Sequence, residues 1–287
     1  MFSGSFVALV TPFKKGKIDK KKLAELIEFH IENGTDGLVP VGCTGEAATL
    51  THEEQKTLMK LACQIVAKRI PVVAGAGSNS TSEAISLTKH AKRAGCDGVL
   101  SITPYYNKPT PEGQYRHYQK IARSADIPIM VYNVPSRTGI SLSPETVARL
   151  SKIENIVAIK EASGSLDQVS RILELCDITV MSGDDSLTLP MMSIGARGVV
   201  SVVANIIPRE VHEMVSSFLE GDVTAAREMH FRILPLCKAM FIETNPIPLK
   251  TSMKLLKRLN GELRLPLCEM ASENREKLKK TLKRYGL

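Results

Sequence analysis

Lys160 closes the apolar run Ile156-Val157-Ala158-Ile159. An amine at the end of a buried strand is poorly hydrated. Desolvation disfavours its ammonium form, lowers its pKa and frees the lone pair to attack a carbonyl. The other use of such a lysine is to snorkel to water or to pair with a neighbour such as Glu161. Tyr132 ends a second apolar run, residues 127–133. A phenol beside an imine-forming amine can relay protons as a carbinolamine forms and loses water. A strand-end tyrosine also serves simply as an amphipathic plug. Gly42-Cys43-Thr44-Gly45-Glu46 follows a third run and precedes a helical pattern. Its backbone N–H groups and the Thr44 hydroxyl suit a small carboxylate, although a plain tight turn has the same composition. Arg137, in Asn133-Val134-Pro135-Ser136-Arg137-Thr138-Gly139, carries a forked donor that fits either a second carboxylate or a surface ion pair. Tyr105 and Tyr106 stand in a proline-flanked loop, where they face a pocket or a subunit contact.

These groups meet only if the fold gathers the ends of several strands on one face. Eight short apolar segments rich in β-branched residues recur at 5–11, 36–42, 71–77, 97–103, 127–133, 155–161, 178–183 and 198–204. Several are apolar on both faces, as strands of a helix-covered parallel sheet must be. Between them lie helical patterns. Thr51 with Glu54, Ser80 with Glu83 and Ser165 with Gln168 read as capping boxes. Thr110-Pro111 and Ser143-Pro144 read as an N-cap followed by proline, and Asn33-Gly34, Ala94-Gly95 and Glu220-Gly221 as helix stops. Strict alternation with eight strands predicts an α/β fold, a (β/α)8 TIM barrel over residues 1–221. The alternative is an open doubly wound sheet, but Gly75-Ala76-Gly77 is followed by Ser80 where GxGxxG needs glycine, and no GxxxxGK[ST] occurs. Residues 222–287 read as three helices (223–240, 246–259 and 270–284), a C-terminal all-α helical domain. In such a barrel the catalytic groups collect where the strands end, which is where the groups above lie.

Composition narrows the classes of function. The chain has 287 residues, 43% hydrophobic and 24% charged, which fits a globular protein and excludes collagen-like, coiled-coil and disordered readings. No apolar run approaches the roughly 20 residues of a membrane helix, so no membrane partner is expected. The segment from Met1 to Phe13 lacks a basic stretch, an apolar core and a cleavage site, and reads as a first strand. Cysteines at 43, 63, 96, 176, 237 and 268 form no CxxC, which points to reduced thiols and a cytoplasmic location. Scattered histidines without HExxH give no metal site. Of the net charge of +8, residues 222–287 carry +7, with 14 Lys/Arg against 7 Asp/Glu. A non-catalytic barrel binding nucleic acid through these helices is conceivable. The segment lacks interleaved aromatics, so solvated helix faces are preferred and no nucleic-acid partner is expected.

Taken in order, the motifs resemble the dihydrodipicolinate synthase (4-hydroxy-tetrahydrodipicolinate synthase) family along essentially the whole chain. They are residues 4–12, GCTGEAATL (42–50), AGSNST (76–81), TPYYNKP (103–109), YNVPSRTG (132–139), IKEASG (159–164), SGDD (182–185) and GVVSVVANI (198–206). The resemblance implies a lyase with a TIM barrel and a C-terminal helical domain. Its reaction condenses pyruvate with L-aspartate 4-semialdehyde through a lysine imine, at the entry to diaminopimelate and lysine biosynthesis, without metal or other cofactor. It further implies that Lys160 forms the imine, Tyr132 shuttles protons, Thr44 binds the pyruvate carboxylate and the Val200 backbone lies beside pyruvate. Arg137 would hold the semialdehyde carboxylate and Gly183 would line the pocket. Tyr106 would enter a neighbouring subunit's site, which implies a homo-oligomer, usually a dimer of dimers.

One position departs from the pattern. Cys43 stands where the family's proton relay has a threonine. A thiol is a weaker hydrogen-bonding group, so the departure bears on rate more than on reaction type. Members inhibited by L-lysine bind it at a dimer interface, at a site that Ala48, His52, Asn79, Glu83 and Tyr105 match. Gln55 stands where some regulated members have histidine. Sister pyruvate-dependent lyases, N-acetylneuraminate lyase or keto-deoxy sugar acid aldolases, share Lys160, Tyr132 and the glycine turn. Arg137 favours a short carboxylated aldehyde over a sugar.

Overall fold

The computed structural model describes residues 2–287. Its strands are β1 (Gly4–Ala8), β2 (Phe13–Lys14), β3 (Lys17–Ile18), β4 (Gly37–Val39), β5 (Val73–Gly75), β6 (Gly98–Ile102), β7 (Ile129–Asn133), β8 (Ile156–Glu161), β9 (Thr179–Ser182) and β10 (Gly198–Ser201). Its α-helices are α1 (Lys20–Glu32), α2 (His52–Val66), α3 (Thr81–Ala94), α4 (Pro111–Ser124), α5 (Pro135–Thr138), α6 (Pro144–Leu150), α7 (Leu166–Leu175), α8 (Thr188–Ser193), α9 (Pro208–Leu219), α10 (Val223–Ala239), α11 (Ile247–Leu255) and α12 (Ser272–Tyr285).

Eight strands pair in parallel in the order β4-β1-β10-β9-β8-β7-β6-β5. The remaining seam is closed by a bridge between Leu38 and Val72 and by the Gly75 N–H donating to the Pro40 carbonyl at 2.9 Å. The result is the (β/α)8 barrel expected from the alternation, and each barrel strand falls within one of the eight apolar segments or begins one residue before it. Asn205 locks the first strand to the last: its amide donates to the Ala8 carbonyl at 2.8 Å and accepts from the Val10 N–H at 3.2 Å.

Two apolar layers result. One, including Phe6, Val39, Val73, Leu100, Met130, Ala158, Met181 and Val200, fills the barrel interior. The other lies between strands and helices. Because side chains alternate along a strand, Ala158 and Lys160 share the inner face of β8 while Ile159 and Glu161 face the helices. The register pairs Tyr132 with Lys160, so both reach the same end of the barrel.

Some local details differ from expectation. The first strand ends at Ala8, and Phe13 instead opens a small antiparallel hairpin, β2 with β3. Its turn places Lys15 and Gly16 at φ of 53° and 74°. Thr51 and Glu54 form the full capping box on α2. Ser80 does not cap α3: Glu83 accepts instead from the Ser78 hydroxyl at 2.7 Å. Ser165 caps α7, but Gln168 turns away to the Leu142 carbonyl. Cys63 and Cys96, far apart in sequence, bring their sulfurs to 3.4 Å as free thiols.

α10, α11 and α12 lie where the three C-terminal helices were expected, with Gly221 (φ 93°) turning the chain between α9 and α10. The cations of α12 are partly matched along its own surface, Lys277 by Glu273 and Lys279 by Glu276. Among the described residues no helix is long and apolar enough to cross a membrane.

Candidate active site

β8 delivers Lys160 to the barrel mouth with only 5% of its surface exposed. Burial brings its pKa down to about 8, and the nearby Arg137 guanidinium acts in the same direction. Cys43 and Asp185 pull it partly back. The ammonium nitrogen lies 4.4 Å from the centre of the Tyr132 ring. Pairing with Glu161 does not occur, because Glu161 is on the opposite face of the strand. There its carboxylate accepts from Asn133 Nδ2 (3.2 and 3.0 Å) and from the Ser163 N–H (2.7 Å). Gly183 makes room for the lysine: a Cβ there would stand 2.7 Å from Ala162 Cβ and 2.9 Å from Lys160 Cε.

Tyr132 comes from the adjacent strand and is 6% exposed. Burial holds its phenol well above the ordinary value, and Cys43 pushes in the same direction. The phenol is therefore protonated at neutral pH, able to donate a proton and to take one back within a relay.

A cavity of about 590 Å³ opens above these groups and is lined by Cys43, Thr44, Tyr132, Arg137, Lys160 and Gly183, together with Phe241, Glu243, Thr244 and Asn245. Six site residues inferred from sequence thus converge. The last four belong to the segment between α10 and α11 and were not singled out from sequence. Asn245 is the most consequential of them. Its Nδ2 donates to Thr44 Oγ1 at 3.0 Å, while Arg137 Nη2 donates to its backbone carbonyl at 3.1 Å. One residue therefore fixes both the hydroxyl and the guanidinium that can meet carboxylates. The proline-broken stretch Thr244-Asn245-Pro246 between two helical patterns was the available signal.

Val200 is fully buried in the barrel interior and is not among the cavity's lining residues, which on that side include Val202. Tyr106 does not line the cavity of its own chain: it is 89% exposed, with φ of 67°. A second cavity of about 320 Å³ shares Cys43, Tyr132, Arg137 and Asn245 with the first and adds Ala48, Gln55 and Tyr105. His52 Nε2 lies 3.9 Å from the Glu83 carboxylate, and the Asn79 carbonyl accepts from Asn107 at 2.9 Å.

Residues 1–285 match the model of the dihydrodipicolinate synthetase family. The chain belongs to this family. A 4-hydroxy-tetrahydrodipicolinate synthase from Syntrophus aciditrophicus is 54% identical over all of this chain and 99% of its own. The crystal structure of dihydrodipicolinate synthase from Aquifex aeolicus superposes with a TM-score of 0.98 at 51% identity, covering 100% of this chain and 99% of that one. A dihydrodipicolinate synthase structure from Cyanidioschyzon merolae, solved with lysine bound, superposes with a TM-score of 0.96 at 42% identity, covering 100% and 99%.

Proposed function

We propose that this dihydrodipicolinate synthetase family member condenses pyruvate with L-aspartate 4-semialdehyde, the reaction of the 4-hydroxy-tetrahydrodipicolinate synthases. The observation that carries the reading is a desolvated lysine, with pKa about 8, beside a protonated tyrosine in a cavity also lined by the Thr44 hydroxyl and the Arg137 guanidinium. Lys160 Nζ adds to the pyruvate carbonyl, and the carbinolamine loses water to give an imine. Tyr132 supplies and recovers the protons of these steps, with Cys43 as its relay neighbour. Thr44 receives the pyruvate carboxylate, and Gly183 lines the cavity beside Lys160. Loss of a methyl proton gives the enamine, whose methylene carbon attacks the aldehyde carbon. Arg137 orients the semialdehyde through its carboxylate. The semialdehyde amine then attacks the imine carbon, closes the ring and releases Lys160. The imine is the electron sink, so the chemistry needs neither metal nor pyridoxal phosphate.

The test is borohydride reduction in the presence of pyruvate, followed by peptide mapping. A pyruvyl adduct on Lys160 is expected. Folded protein without an adduct would refute imine chemistry. Sugar-acid lyases would give the same adduct, so the second substrate is settled by comparing the semialdehyde with sugar acids. The Arg137 guanidinium at the cavity wall favours the semialdehyde.

The reading includes a homo-oligomer, a tetramer built as a dimer of dimers, in which Tyr106 enters a neighbouring copy's site; the 89% exposure of its ring supports this. The free cysteines fit a reducing cytoplasm. Ala48, His52, Asn79, Glu83 and Tyr105 are the proposed L-lysine site; Ala48 and Tyr105 line the second cavity, and His52 lies close to Glu83. Millimolar L-lysine is expected to inhibit turnover. A flat response would remove feedback from the reading.

A further inference from the structure

Among the described residues the mechanism leaves one fully buried ion pair unused. Glu46 and Lys250 pair with both side chains fully buried, at 0% exposure. Removing two charges from water costs much of what their attraction returns, so such a pair adds little stability over an apolar contact of the same shape. What it can add is a fixed geometry, and its surroundings show which geometry.

Glu46 ends the turn that carries Cys43 and Thr44, and its backbone is left-handed, with φ of 56°, a conformation non-glycine residues seldom adopt. A second anchor acts on the same carboxylate, whose Oε2 accepts from the Arg264 N–H at 3.2 Å. Lys250 is itself over-determined: it donates to the Glu262 carbonyl at 2.8 Å and lies 4.2 Å from the centre of the Phe13 ring. It sits on α11, just after Asn245, whose amide holds the Thr44 hydroxyl. The turn is thus tied to the C-terminal segment at two points, by a hydrogen bond at Thr44 and by an ion pair at Glu46.

We propose that Glu46 and Lys250 are positioning residues, whose ion pair sets the Cys43–Thr44 turn at the height where the Thr44 hydroxyl and the turn N–H groups meet the pyruvate carboxylate. The inference rests on the reading of Thr44 as the pyruvate-carboxylate site.

Glu46→Gln, Lys250→Met and the double variant test it in the full-length protein, with melting temperature, kcat and both KM values measured. Each single variant is expected to raise the KM for pyruvate by about 10-fold or more, with kcat and the semialdehyde KM within about 3-fold. The double variant is expected to be no worse than either single one, because the two residues act as one unit. A fall in melting temperature with an unchanged pyruvate KM would overturn the proposal and leave a purely structural pair. Additive losses in the double variant would overturn it as well. Should Lys250→Met fail to fold, Glu46→Gln gives the same split between the two KM values. Borohydride trapping on the unmodified protein separates the two readings: no adduct there refutes the imine mechanism itself, whereas an adduct with variants of unaltered pyruvate KM refutes only the positioning role.

Discussion

Lys160→Ala is expected to lower turnover by at least about a thousand-fold while leaving the fold intact. No other described amine shares this setting. Lys250, the other deeply buried lysine, is committed to Glu46 and the Glu262 carbonyl. Truncation removes a desolvated amine at the edge of an open cavity, so water can fill the space and the packing cost is small. Circular dichroism and a melting curve establish the fold, and near-normal rates in folded protein would sink the mechanism. The same residue sets a pH dependence. The amine is the nucleophile and the ammonium is inert, so imine formation should rise with pH through about 8 and level off above it. Below that point the rate should fall about tenfold per pH unit. Stopped-flow measurement of imine formation against pH tests this, and a profile flat across the neutral range would contradict the assignment.

The barrel, and the residues at its mouth, were largely legible in the sequence. A lysine directly after Ile156-Val157-Ala158-Ile159 becomes informative once eight strand signals alternate with helices, because the fold then dictates which end of each strand carries function. Strand alternation also decides between Lys160 and Glu161, since one faces the cavity and the other the helices. The less legible features depend on tertiary contacts. Asn245 earns its role from the chain's return over the barrel mouth to Thr44, some two hundred residues away in sequence. The Glu46–Lys250 pair is hidden for the same reason. The Ser80 capping box has the right spacing, but Ser78 is folded close enough to take Glu83 first. The β2–β3 hairpin has strands of two residues, too short to show periodicity.

Tyr132→Phe is expected to reduce kcat by about 10²- to 10³-fold, with the KM for pyruvate nearly unchanged. The substitution keeps the ring that packs against Lys160 at 4.4 Å, so the amine stays buried and its pKa stays low. Thr44 and the turn N–H groups are also untouched, and pyruvate should still dock. What is lost is the hydroxyl positioned beside Lys160 to carry protons, for which an unpositioned solvent water is a slow substitute. Imine formation followed by stopped flow should therefore slow by about the same factor as kcat, because dehydration of the carbinolamine needs that proton. If kcat falls while imine formation keeps its rate, Tyr132 acts only after the imine, in the carbon–carbon bond step. If neither changes, the relay runs through Cys43 and water, and the phenol is a strand-end plug. The thiol at position 43 sharpens the test. In the proposed relay a thiol is a weak hydrogen-bonding partner, so it is not expected to replace the Tyr132 hydroxyl.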